Sequence, residues 1–111
     1  MSEAETVPAG DTRIRCCVPF CRRTIGAAKL APYTDWLCQK HWALVPRNLK
    51  AAYRADRARC RRIVRRRPLY REYWKLPGGS PQRLRAVAMW RRLDQAWANC
   101  KRAAIERAAG I

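Results

Sequence analysis

The residues best suited to chemistry lie between positions 16 and 41. Cys16 or Cys17, then Cys21, Cys38 and His41 give the pattern C-x4-C (or C-x3-C), sixteen residues, then C-x2-H. Thiolates and imidazoles are the donors of tetrahedral structural zinc. A tight turn supplies the first pair. The first turn of a helix supplies the second, because residues three apart share a helix face. His41 is the only histidine in the chain, and it sits at the right offset from a cysteine. The four-residue gap favours Cys16 as first ligand, with Cys17 as the alternative. The expected cofactor is one structural Zn2+. The competing reading is a set of unrelated buried thiols. Cys60 and Cys100 fall on the apolar sides of two helical segments and read as small core residues.

The segments RCCVPFCRR, WLCQKHW and VPRNLKAAY resemble treble-clef zinc fingers, in which a zinc knuckle and a β-hairpin precede a helix whose first turn carries the last two ligands. They are also similar to small zinc-binding proteins of phage and prophage genomes, where C-x2-H-W precedes a proline and a basic helix. The resemblance covers residues 13–66. It implies a phage-type protein in a bacterial or infected-cell cytoplasm. Treble-clef scaffolds include HNH-type nucleases, which need a general-base histidine and a second metal set. Here the one histidine is taken by zinc and Asp35 stands alone, so no catalytic residues and no enzymatic activity are expected.

The second constellation is basic. Lys and Arg total 25 against 8 Asp and Glu, a formal charge of +17, and 20 of the 25 are Arg. Such an imbalance calls for a polyanionic partner. Between residues 46 and 67 there are ten basic residues and one acid, Asp56. Arg47, Lys50, Arg54, Arg57, Arg61 and Arg65 recur every three or four positions, so they share one helix face. Arg59, Arg62 and Arg66 form a further stripe. At 1.5 Å per residue this helix is about 30 Å long, close to one turn of DNA at about 34 Å. Arg suits phosphate because its planar guanidinium bonds two oxygens at once. Arg22 and Arg23 flank the knuckle and extend the candidate nucleic-acid surface. High-GC coding explains abundant Arg but not the lack of acids. The expected function is nucleic-acid binding, duplex DNA ahead of RNA, mainly through phosphate. The alternative is an adaptor or inhibitor that binds an acidic surface of a host protein. Trp36, Trp42, Trp90 and Trp97 read as packing residues; Tyr70 and Trp74 are the better base-stacking candidates.

The elements that must position these groups follow from breakers and caps. One hundred and eleven residues suffice for one small domain. No run of about 18 apolar residues is present, so no membrane span is expected. The polar, acidic start does not read as a secretory signal, which favours a reducing cytoplasm without disulfides. Residues 1–12 read as a disordered tail. A hairpin is expected from Thr24–Ile25, a turn near Gly26, and Lys29–Ala31. A helix capped by Thr34 or Asp35 runs from Trp36 or Leu37 to Val45. A second follows over 46–66 and ends at Pro68. An aromatic connector fills 68–79. Ser80–Pro81 starts a third helix that stops at Gly110, with Leu84, Val87, Trp90, Leu93, Trp97 and Cys100 on its buried side. The fold class is mainly α with a small zinc-stapled β-hairpin: a treble-clef finger over 13–67, then a C-terminal helix over 80–111 packed on the same domain.

Overall fold

The computed structural model describes residues 12–110. The expected tail, apart from Thr12, lies outside them. The fold is mainly helical, with one two-stranded antiparallel hairpin among the described residues. The order is β1 (Arg13–Arg15), β2 (Thr24–Gly26), α1 (Ala27–Leu30), α2 (Gln39–Trp42), α3 (Arg47–Arg66), a 3-10 segment (Pro68–Lys75) and α4 (Pro81–Ala108). Two compact units divide the chain. One holds the described residues up to Val45 with those from Lys101; the other is Pro46–Cys100. No described helix is long and apolar enough to cross a membrane.

In the first unit Ile14 pairs with Ile25 across the hairpin. The Cys16 N–H donates to the Arg23 carbonyl at 3.0 Å, carrying the pairing one step into the turn. The hairpin therefore closes around the cysteine turn, and the strand expected at Lys29–Ala31 does not form. Ala27–Leu30 is a single helical turn instead. Ala, Lys and Leu are strong helix formers without a β-branched residue among them, and β2 already has a partner in β1. The expected helix from Trp36 or Leu37 to Val45 shortens to Gln39–Trp42. Neither Thr34 nor Asp35 caps it; Cys38 holds the cap position with extended backbone. Asp35 instead accepts from Lys101 Nζ at 2.6 Å. After Trp42 the chain tightens, with Leu44 N–H donating to His41 and Val45 N–H to Trp42. Pro46 disfavours a helical Val45.

In the second unit α3 ends at Arg66, and Arg67, the residue before Pro68, is its non-helical C-cap, as expected before proline. The connector is ordered: two 3-10 turns meet at Glu72. Ser80 Oγ accepts from the Arg83 N–H at 3.2 Å and caps α4. Gly110 closes that helix at φ +81, a left-handed stop. The core comprises Cys60, Val64, Tyr70, Ala86, Met89 and Leu93. Trp90 Nε1 donates to the Tyr70 carbonyl at 2.8 Å. Leu84, expected on the buried side of α4, is 61% exposed. The buried positions on α4 are Ala86, Met89, Leu93, Ala96, Cys100 and Ala104, again three or four apart. Small side chains define this stripe, and they carry little hydrophobic signal in sequence.

Among the described residues the one buried polar or charged residue is Asp56. Its carboxylate forms an ion pair with Arg92 Nε at 3.0 Å and lies 3.8 Å from Arg59 Nη2, with only 12% of its side chain exposed. Removing Arg92 leaves a buried carboxylate with one long contact. Arg92→Met is expected to destabilise the protein by about 1–2 kcal/mol, whereas Arg91→Met on exposed α4 surface changes stability by less than about 0.5 kcal/mol. Urea denaturation followed by circular dichroism checks the difference.

Candidate metal centre

Four donor atoms converge in the first unit. Sγ of Cys16, Cys21 and Cys38 and a ring nitrogen of His41 all lie within 4.8 Å of one another. β1 delivers Cys16, the turn returns Cys21 toward β2, and the entry to α2 carries Cys38 and His41. Cys21 Sγ is 3.9 Å from Cys38 Sγ. His41 Nδ1 is 3.6 Å from Cys16 Sγ and 3.2 Å from Cys38 Sγ. Tetrahedral bonds of about 2.3 Å to sulfur and about 2.0 Å to nitrogen put two sulfurs about 3.8 Å apart and sulfur and nitrogen about 3.5 Å apart. The observed spacings match a four-coordinate site. The donor set of three sulfurs and one imidazole suits a soft or borderline divalent ion.

The surroundings favour anionic sulfur at Cys38 and oppose it at Cys16. The Cys38 N–H donates to Cys16 Sγ at 3.3 Å. Burial pushes the Cys16 thiol up, opposed by the N–H groups of Cys38 and Val18. Burial also opposes ionisation of Cys38, but the His41 N–H, the Cys16 and Cys21 thiols and the Lys40 N–H outweigh it. Cys38 therefore lies below the ordinary thiol value. A bound dication deprotonates coordinating thiols outright. Trp36 braces the site by donating Nε1 to the Ile14 carbonyl at 2.8 Å. Cys17 is not in the group. Its N–H donates to the Trp36 carbonyl at 2.9 Å, and burial raises its thiol. Cys60 and Cys100 are buried and raised in the same way.

The ligand turn holds a residue that sequence reasoning passed over. Cys21 N–H donates to the Val18 carbonyl at 3.1 Å, so Val18–Cys21 is a β-turn. Pro19 fills its second position and Phe20 its third, at φ +69. A type II turn asks for Gly or Asn at that third position. Phe20 accepts the left-handed strain and is 97% exposed. Pro19 at the second position was the available signal.

The basic candidates fall in both units. Arg22 and Arg23 are exposed beside the ligand turn. On α3, Arg47, Arg54, Arg61 and Arg65 are exposed, while Lys50 and Arg57 are half-buried. Of the stacking candidates, Tyr70 is buried, 5% exposed, rather than free on the surface. Trp74 is 59% exposed, with its ring edge-on to Tyr73 at 5.5 Å.

No family model, curated protein or solved structure matches this chain.

The geometry makes the ligand assignment testable. Purified protein is expected to carry one equivalent of divalent metal per chain by elemental mass spectrometry. Cys21→Ser or Cys38→Ser abolishes that equivalent, and Cys17→Ser retains it.

Proposed function

We propose that this chain is a zinc-stapled protein of treble-clef type that binds nucleic acid, duplex DNA ahead of RNA, mainly through phosphate. Zinc is the natural occupant of a closed site with three thiolates and one imidazole. The ion is structural: all four positions are protein ligands, and a core this small needs a staple. The treble-clef reading rests on a knuckle set in a hairpin and on a helix entry bearing the last two ligands. One helical turn, α1, stands where that plan would have a second hairpin. The role is one of binding, because the single histidine is committed to the metal cluster.

The observation that carries the nucleic-acid reading is the direction of Asp56. It is the sole acid on α3, and it is turned into the core against Arg92. The helix thereby presents no carboxylate of its own on its outward face. A solvated helix face ordinarily mixes in carboxylates at i,i+4. A face without them repels itself, and a row of phosphates relieves that repulsion while releasing condensed counterions. Arg22 and Arg23 are exposed cations of the first unit, beside its ligand turn. Phe20 beside them is an exposed aromatic at the tip of a braced turn, the kind of side chain that stacks on or wedges between bases.

Six phosphate contacts correspond to a log–log salt slope of about −5. Titration of a fluorescent 30-base-pair duplex and of single-stranded RNA with zinc-loaded protein measures it. Arg47, Arg61 and Arg65 changed together to Glu are expected to weaken duplex binding by about 100-fold or more at moderate salt. No binding to either polymer at low salt would overturn the reading, and the same face would then belong to an acidic protein surface. Phe20→Gly relieves the left-handed strain and removes almost no packing. It is expected to preserve stability or raise it by up to about 1 kcal/mol, while weakening nucleic-acid binding. A thermal melt and the same titration check both halves.

A further inference from the structure

A second cationic feature lies within the Pro46–Cys100 unit. A cavity of about 400 Å3 opens between α3, the 3-10 segment and α4. Four arginines line it: Arg59, Arg67, Arg85 and Arg92. Tyr70 and Met89, both buried, give it an apolar floor. The cavity falls within the size range of small-molecule sites, about 300–1,000 Å3. None of its four arginines belongs to the outward row on α3.

Four guanidinium groups line the cavity, and none of the residues described as lining it is acidic. The carboxylate seen to pair with them is Asp56, 3.0 Å from Arg92 Nε and 3.8 Å from Arg59 Nη2. Arg59 Nε is buried and has no hydrogen-bond partner. A buried donor of a permanently charged group is rarely left unpaired. Arg67 lies over the Tyr70 ring, its Cζ 6.0 Å from the centroid, so a cationic plane and an apolar floor meet in the same space. Guanidinium forks lining one space match a phosphate, whose several oxygens accept paired bonds and whose charge exceeds that of a carboxylate. A bare phosphate would fill only a small part of the cavity. The floor and the guanidinium planes suit a flat ring attached to it.

We propose that this cavity binds a nucleoside monophosphate, with the phosphate held by Arg59, Arg85 and Arg92 and the base set against Tyr70 and Met89. The ligand is either a free nucleotide or the 5′-phosphorylated end of a strand, which present the same chemistry. The site does not depend on duplex binding by the outer face of α3.

Calorimetric titration of the full-length zinc-loaded protein with AMP, adenosine and inorganic phosphate, at matched ionic strength, tests the proposal. AMP is expected to bind more tightly than either fragment. Arg85→Gln and Arg59→Gln are each expected to weaken AMP about tenfold, as for loss of one charge-assisted hydrogen bond. Arg61→Gln, on the outer row, leaves AMP binding unchanged. Arg85 is exposed, so its variant tests the site without disturbing the core. A short strand with a 5′ phosphate, compared with its 5′-hydroxyl form, separates the sources. Tighter binding of the phosphorylated strand than of AMP assigns the strand end, and equal or weaker binding assigns the free nucleotide. The proposal is overturned if AMP binds no better than phosphate or adenosine. It is also overturned if both cavity variants keep full affinity, or if Arg61→Gln weakens AMP as much as they do.

Discussion

Carboxylates are the scarce component of this chain, and where they go decides how its cations are arranged. Five acids follow residue 12: Asp35, Asp56, Glu72, Asp94 and Glu106. Asp35 takes Lys101 and Asp56 takes Arg92, each across a long stretch of sequence. Glu72 pairs locally with Lys75. An exposed pair such as Glu72–Lys75 contributes little to stability. Asp56 is different, because its carboxylate is largely withdrawn from water and must keep a partner. Its demand brings Arg92 of α4 against α3 and fixes which face of α3 is inner. The outer face of α3 is left without a carboxylate from its own helix as a direct result. Packing and the proposed binding surface thus follow from one residue's orientation.

The first unit rests on a different constraint. Up to Val45 its buried apolar residues are Cys16, Val18, Leu37, Cys38 and Val45. Two of the five are metal-site ligands. Aliphatic burial on that scale cannot offset the ordering of so many loop residues. Closing the four donors on one ion would supply what the core lacks. It also accounts for Phe20. A left-handed phenylalanine persists only where its surroundings over-determine it. Cys16 and Cys21 hold the turn from both sides, so strain can be stored at its tip.

The ligand set was legible because its logic is local. C-x2-H at the start of a helix places two donors on one face whatever the rest of the chain does. The two long helices were legible for a similar reason: Ser80–Pro81 and Pro68 act through nearest-neighbour sterics and caps. The partner of β2 was not, because strand pairing is non-local: β2 pairs back across the cysteine turn with β1 rather than forward of Gly26. The buried stripe of α4 was misread at Leu84 because hydrophobicity weights large side chains. Ala86, Ala96 and Ala104 were chosen for size, to let neighbours approach. Tyr70 looked like a surface aromatic in a connector, but the connector folds into 3-10 turns and places the ring in the core. The direction of Asp56 had no sequence signal, since one acid among ten basic residues reads as a surface residue until α4 is in place.

The placement of arginine, more than its abundance, needs a physical account. Coding bias would scatter arginine over exposed positions. Here Arg59 and Arg61 are two apart on α3, which puts them about 200° apart around the helix. One lies beside Asp56 in a partly desolvated cavity and the other on the outer row. Lysine would serve the outer row nearly as well, because a solvated phosphate contact is largely a matter of charge. It would fail in the cavity. A buried ammonium sheds its proton readily, whereas guanidinium keeps its charge and spreads it over a plane that also packs against rings. The inner arginines can therefore meet three demands that lysine cannot combine: pairing with Asp56, packing against Tyr70 and holding permanent charge in a concave site. A chain that uses arginine for twenty of its 25 cations gains on its inner helix face what its outer face alone would not require.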